Sequence, residues 1–248
     1  MKLNKIKPKF IVKSNPRIGL ITLGSDFRIE KDFNNLIHGK EIDLYVNRIH
    51  CYNPLTNATL AKMADDITEV TKDILPDQKL DCVAYGCTSG TVAAGYDVIK
   101  KKINLAKPEA KVTTPITSAI KALKVLDINK ISIFTPYTKT INDSVVNYFK
   151  KENIIVNSLT YFDIDSDLDI GQVDENYLFE VLSKTDLEDS DALFISCTAL
   201  PVLSIIDRLE KKLNKIVLSS NQTLIWETLN VIGNRNPVVG FGKIFEVN

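Results

Sequence analysis

Cysteines stand at positions 51, 82, 87 and 197, and two of them have matching surroundings. Cys87 lies in YGCTSG, directly after the apolar run Cys82–Tyr85 and just before a helical stretch. Cys197 lies in FISCTALP, directly after Ala192–Ile195. A side chain so placed stands at the carboxyl end of a strand, where ligands bind in open α/β sheets. If a helix starts there, its unpaired N–H groups and the positive end of its dipole favour a thiolate. The sequence therefore predicts two thiols made acidic by the backbone alone, with Thr88 and Thr198 available as caps and Pro201 in the first turn of the second helix. On facing lobes, such thiols can act on opposite faces of one molecule. One removes a proton or adds as a nucleophile, and the other completes the step from the far side.

Cysteine is also among the most buried residue types and often behaves as a small hydrophobe. Cys82, inside a strand run, and Cys51, beside Tyr52, read that way. Polar residues cluster at the other strand ends: Ser25 and Asp26, then Thr135 and Tyr137, then Thr114 and Thr117, then Ser219 to Gln222. Singly, each reads as a cap or a turn. As a ring around two thiols they suit carboxylate and amide recognition. The only histidines are His38 and His50, and no CxxC pair occurs. A Cys–His pair and a metal site are thus poorly supplied, and neither metal nor organic cofactor is expected.

Short β-branched runs alternate with longer amphipathic segments, the pattern of an α/β protein with mostly parallel sheets flanked by helices. Strands are expected at Ile18–Leu23, Asp43–Ile49, Cys82–Tyr85, Lys111–Thr113, Lys130–Phe134, Ile154–Thr160, Ala192–Ile195 and Lys215–Leu218. Helices are expected at Leu55–Leu75, Ser89–Leu105, Thr117–Leu126, Thr140–Glu152, Glu175–Ser183, Pro201–Leu213 and Gln222–Val231. Three strand-and-turn units recur in the same order. RIGLITLGSD resembles KISIFTPYTK, DCVAYGCTSG resembles DALFISCTAL, and KVTTPITSAIKAL resembles KIVLSSNQTLIWETL, at offsets of 113, 110 and 104 residues. The repeat implies two pseudosymmetric lobes, 1–112 with 219–248 and 113–218, with the site in the cleft between them. In this division the last helix crosses back to the first lobe.

Composition bounds the partners. The 248 residues are 44% hydrophobic and 25% charged, which fits an ordinary globular protein, and 31 basic residues balance 31 acidic ones. No overall field draws such a chain to nucleic acid or to an anionic membrane, so a small molecule is the expected partner, with a homodimer or higher homo-oligomer open. No apolar run reaches the roughly 20 residues of a membrane helix, and the opening lacks a secretory core, so a cytoplasmic location is expected. That opening carries five lysines in sixteen residues and reads as a loosely held terminus.

The segments RIGLITLGSD, YGCTSG, TPY, ALFISCTALP and VLSSNQTLIWETL resemble the maleate cis-trans isomerase branch of the aspartate/glutamate racemase superfamily, whose neighbours include arylmalonate decarboxylases. LGSDFRIEKDF and ALFISCTALP are also similar to the ectoine-utilisation protein of that branch. The resemblance implies a two-lobe α/β fold with the site between lobes and a cofactor-independent isomerase acting on a small carboxylic or dicarboxylic acid. It implies Cys87 as nucleophile, Cys197 as proton donor, Tyr137 as a substrate contact, and backbone amides near Thr88, Ser89, Thr198 and Ala199 holding a carboxylate, with Asn221 beside them. A decarboxylase of this kind keeps only the second cysteine, so the retained pair speaks for an isomerase or a racemase.

Two positions depart from that resemblance: Asp26 and Asp167 stand where maleate isomerases carry asparagine. An ionised aspartate cannot donate a hydrogen bond to a substrate carboxylate and repels it. The expectation is a substrate other than plain maleate, with a cationic, amide or hydroxyl group near Asp26, unless that aspartate is protonated or serves as a cap. Two further classes compete. A two-lobe binding protein has a similar cleft without needing thiols. A nucleotide-binding protein needs a glycine-rich phosphate loop after a strand, and none occurs.

Overall fold

The computed structural model describes residues 3–11, 15–187 and 189–247. Strands β1 (Arg17–Leu23), β2 (Asp43–Ile49), β3 (Cys82–Gly86) and β4 (Lys111–Thr113) form one parallel sheet in the order β2-β1-β3-β4. Strands β5 (Lys130–Thr135), β6 (Ile155–Tyr161), β7 (Ala192–Ile195) and β8 (Ile216–Ser219) form a second in the equivalent order β6-β5-β7-β8. The fold is α/β with two lobes of the same topology. β3 and β7 are buried along their whole length, so they read as unbroken apolar runs, whereas the edge strands β2 and β6 are mostly half-buried.

The helices of the first half are α1 (Ile29–Ile37), α2 (Asn57–Lys62), α3 (Ile67–Lys72), α4 (Thr88–Ala94) and α5 (Tyr96–Ala106). Then come α6 (Pro115–Val125), α7 (Lys139–Lys151), α8 (Asp167–Gly171), α9 (Glu175–Leu182), α10 (Ile206–Leu213) and α11 (Ser220–Val231). Among the described residues, no helix is long and apolar enough to cross a membrane.

Helix α11 organises the interface between the lobes. It is buried from Ser220 to Leu229 and packs against α6, α1, β3 and β4. Its buried polar groups are bonded across: Glu227 accepts from Ser118 at 2.5 Å and from Lys121 of α6, and Thr228 meets Thr113 at 2.8 Å. A buried carboxylate is tolerable only when so partnered.

Strand positions follow the sequence reading to within a residue or so, but several helices do not. The expected helix 55–75 is α2, a 3-10 turn at Met63–Asp66, and α3. Its start is fixed by a capping box between Thr56 and Thr59, and Leu75, with φ 44°, lies just past its end. The expected helix 89–105 breaks at Gly95, whose φ of 87° suits a residue without a Cβ. Helix α11 begins two residues early because Ser219 and Gln222 form a capping box. Helices α1 and α8 were not expected. Of the lysine-rich opening, residues 3–11 are exposed and without regular structure; Met1, Lys2, Val12, Lys13 and Ser14 lie outside the described residues.

Candidate active site

Strand order reverses between β1 and β3, and again between β5 and β7, opening a crevice beyond the carboxyl ends of each pair. Register fills the two crevices. Thr22 pairs with Gly86, so the Gly24–Asp26 turn lies beside Cys87. Phe134 pairs with Ile195, so Thr135 and Tyr137 lie beside Cys197.

Cys87 is the N-cap of α4, and its sulfur accepts from the Gly90 amide at 3.2 Å. Cys197 differs from the sequence reading. No helix follows it: residues 198–202 are irregular, a 3-10 turn spans Leu203–Ile205, and α10 starts only at Ile206. Pro201 precedes that turn, and Thr198 caps nothing; its hydroxyl donates to the Gly86 carbonyl at 3.2 Å. Cys197 has a φ of 106°, a strained value for any residue with a Cβ. Its amide is anchored on the Ser220 hydroxyl at 3.0 Å, and Ser220 accepts in turn from the Thr88 hydroxyl at 2.8 Å. The two cysteine loops are thus stitched together twice, through Ser220 and through Thr198 to Gly86. Tyr137, fully buried, accepts from Ser196 at 3.4 Å and lies within electrostatic reach of both sulfurs.

The expectation of acidic thiols is not met. Burial pushes the Cys87 and Cys197 thiols well up, because a thiolate loses its hydration there. The Gly90 amide at Cys87 and the Ala199 amide at Cys197 pull the other way but are outweighed, and the nearby Asp167 carboxyl raises both further. The amides are in place, but the field they supply is smaller than the desolvation.

Two carboxyls, Asp26 and Asp167, adjoin the thiols, and a third, Asp32, reaches the site through Asn221. Asp26 is fully buried; its Oδ1 accepts from the amides of Arg28 and Ile29, capping α1, and its Oδ2 has no partner. Asp167 accepts from the Ser25 hydroxyl at 2.6 Å. Asp32 accepts from the Asn221 amide at 2.7 Å. Burial pushes Asp26 above the usual carboxylate range, Asp32 to about 7 and Asp167 to about 6. The folded state therefore holds protons that the unfolded chain has released, so the stability these groups contribute is present at acid pH and lost as pH rises through about 6 to 7. The melting temperature is expected to fall between about pH 4 and pH 7, and Asp32→Asn to remove several degrees of that fall in a calorimetric pH series. An unchanged slope in the variant contradicts the assignment.

Polar contacts across the cleft mouth close the site. The Leu55 amide donates to the Asp165 carbonyl at 2.8 Å, the Asp167 amide to Asn53 at 3.4 Å, and the Arg28 guanidinium to the Gly171 carbonyl at 2.8 and 3.1 Å. Cys87 is 3% exposed and Cys197 6%.

A profile of the arylmalonate decarboxylase family matches residues 55–245. The chain belongs to that family. Members and neighbours are distant in sequence and near in shape. The maleate isomerase of Alcaligenes faecalis is 24% identical over 241 residues, covering 92% of this chain and 95% of the relative. The Nocardia farcinica maleate cis-trans isomerase, solved as a cysteine-to-serine mutant with a covalently bound succinylcysteine intermediate, superposes with a TM-score of 0.86 at 19% identity, covering 95% of this chain and all of that one. A liganded arylmalonate decarboxylase mutant superposes at 0.82 with 17% identity, covering 94% of this chain and 100% of its own.

In this member of the arylmalonate decarboxylase family, the residues singled out by sequence gather around the two sulfurs. Ser25, Asp26 and Asp167 lie on one side; Thr88 and Ser89 follow Cys87, Ser89 Oγ lying 3.9 Å from the sulfur; Thr198, Ala199 and Asn221 surround Cys197, and the Asn221 amide also donates to the Thr198 carbonyl at 2.8 Å. Thr114 and Thr117 bond each other at 2.8 Å instead, one turn of α6. Two residues were missed. Cys51, half-buried, sits close enough to Ser25, Asp26, Asp167 and Cys87 to interact with all four. It follows β2 as Cys87 follows β3, so the strand-end rule applied evenly would have found it. Asp32 lies on the polar face of α1 and gave no such signal.

Gly90 is fixed by the thiol. A Cβ there would lie 2.8 Å from Cys87 Sγ and 3.0 Å from both the Met63 methyl and the Tyr85 hydroxyl. Gly90→Ala should slightly favour the helix and yet displace the sulfur, lowering turnover about 100-fold with little loss of melting temperature. Full activity in that variant would show that the sulfur position is not critical.

Proposed function

We propose that this chain is a cofactor-independent isomerase of a small carboxylic acid, with Cys87 and Cys197 acting on opposite sides of the substrate. The observation that supports the reading is the double stitching of the two cysteine loops, by Ser220 and by Thr198 to Gly86, with Tyr137 within reach of both sulfurs. A binding protein of the same shape has no use for two sulfurs held this way.

For a cis-trans isomerisation, the Cys87 thiolate forms a C–S bond to one alkene carbon, and the π pair moves to the neighbouring carbon, which takes the proton of Cys197. Rotation about the new single bond follows. The Cys197 thiolate then removes a proton, the double bond re-forms and the C–S bond breaks, returning the protein unchanged. This is the chemistry suggested by the succinylcysteine named for the Nocardia structure. A second reading, inversion at a carbon bearing hydrogen, is favoured by the carboxyl-lined wall. There one thiolate removes the proton and the opposite thiol delivers another.

Amides at Thr88, Ser89, Thr198 and Ala199 are assigned to the substrate carboxylate, and Tyr137 to its orientation. The cost of a thiolate in the closed site is the obstacle in either scheme, and ionisation is assigned to the opened cleft, before the Asn53–Leu55 and Asp165–Asp167 contacts re-form. The test is a screen of small dicarboxylates and amino-acid derivatives in deuterated water, read by NMR. One acid should isomerise with solvent deuterium appearing at a single carbon; a panel left unchanged throughout would refute the assignment.

A further inference from the structure

At the Asp26 corner of the site, two buried oxygens have no hydrogen-bond partner among the described residues: Asp26 Oδ2 and Asn221 Oδ1. Both residues are buried. The Asn221 orientation is fixed, because its nitrogen faces the Thr198 carbonyl and the Asp32 carboxyl, which both accept. Its oxygen must therefore point elsewhere. Asp26 lies within hydrogen-bonding reach of the Thr198 hydroxyl, whose single proton goes to the Gly86 carbonyl at 3.2 Å in this structure. Both orphaned oxygens thus belong to residues that touch Thr198, next to Cys197.

The nearest cations do not serve them. Arg48 spends its guanidinium on the Leu23 and Asp26 carbonyls and on Glu30, and Arg28 on the Gly171 carbonyl. Among the described residues, no ion pair includes Asp26, Asp32 or Asp167. Native proteins rarely leave such acceptors unpaired, so each calls for a donor supplied by water, an ion or a ligand.

Resting on the two-thiol reading above, we propose that this corner receives the ammonium group of the substrate, which is an amino-substituted carboxylic acid rather than a plain dicarboxylate, with Asp26 and Asn221 as its specificity-determining residues. An ammonium brings three donors and a positive charge to a wall of acceptors and carboxyls. A hydroxyl brings one donor and no charge. A second carboxylate brings no donor, and it repels Asp26 and Asp167 in the ionised state that an ammonium would favour. The ammonium would also offset the charge of whichever thiolate forms beside it.

The experiment is calorimetric titration of the intact protein with paired acids that differ only by an amino group: succinate against L- and D-aspartate, and butanoate against L- and D-2-aminobutanoate. At least one amino acid should bind about tenfold or more tighter than its amino-free partner. Asp26→Asn, whose Oδ1 can still cap α1, should abolish that preference while keeping the melting temperature within a few degrees. Amino-free acids that bind as tightly as their partners, or no binding by any amino acid of the panel, would overturn the proposal, the orphaned oxygens then being served by water. Should Asp26→Asn fail to fold, the wild-type preference decides alone. The two-thiol reading fails separately, if Cys87→Ala or Cys197→Ala retains turnover.

Discussion

Cys197→Ala is expected to lower turnover by roughly 10²- to 10⁴-fold, the usual worth of a positioned acid or base, with little change in substrate affinity. Cys87→Ala should fall at least as far, because it removes the atom proposed to bond to carbon or to take the proton. Neither change should unfold the protein. Alanine keeps the Cβ that Cys197 already tolerates at its φ of 106°, and the anchor from its amide to Ser220 is a backbone contact. The lost packing of one sulfur amounts to about 1 kcal/mol, a few degrees of melting temperature in a chain of this size. Steady-state rates beside thermal melts separate the effects. A variant that melts normally and turns over normally removes that sulfur from the mechanism. The double variant should be no worse than the poorer single one, because residues that act as a unit are not additive.

Ser220→Ala should be the most damaging change outside the sulfurs themselves. Ser220 is fully buried and accepts from both the Thr88 hydroxyl and the Cys197 amide. Removing its oxygen strands two buried donors, at about 1–3 kcal/mol each. The hydroxyl of Thr88 can rotate towards another acceptor; the amide cannot. A loss of about 2–4 kcal/mol follows, or roughly 5–15 °C in melting temperature. Activity should fall further than stability suggests, because Cys197 loses the contact that holds its strained backbone, and a shift of 1 Å at a reacting atom is worth about 100-fold. Measured at a temperature where the variant is fully folded, kcat reports that shift separately. Melting and kcat both near wild type would mean that the link between the lobes lies elsewhere.

The frame was legible because buried parallel strands write themselves plainly. β3 and β7 are apolar throughout, and each ends at a polar turn carrying a cysteine, so placement of both sulfurs followed from local pattern. The SSNQ segment was legible as a strand-end cluster but not in its division of labour. Ser219 and Gln222 close the capping box of α11, while Ser220 and Asn221 turn towards the cysteine loops. Helix breaks at Gly95 and at Leu203 depend on backbone angles that period alone does not encode.

What the sequence misjudged was electrostatic. The amide of Gly90 does reach the Cys87 sulfur, as a helix start requires, yet burial in the site raises the thiol instead of lowering it. Closure depends on contacts between residues more than a hundred positions apart, such as Ser25 with Asp167, and no local pattern reports them. Asp26 shows the same limit. Cap and site residue were weighed as alternatives, but one oxygen caps α1 and the other stands unpartnered beside Cys197.

Everything rests on both sulfurs facing one bound molecule. A crystal structure of Cys197→Ala soaked with the acid that reacts in deuterated water examines this directly. The ligand should lie between the lobes, with Cys87 Sγ about 3–3.5 Å from one carbon and the Cβ of residue 197 facing the opposite side of the same or the adjacent carbon. A ligand bound outside the cleft, or with both positions on one face, would contradict the account.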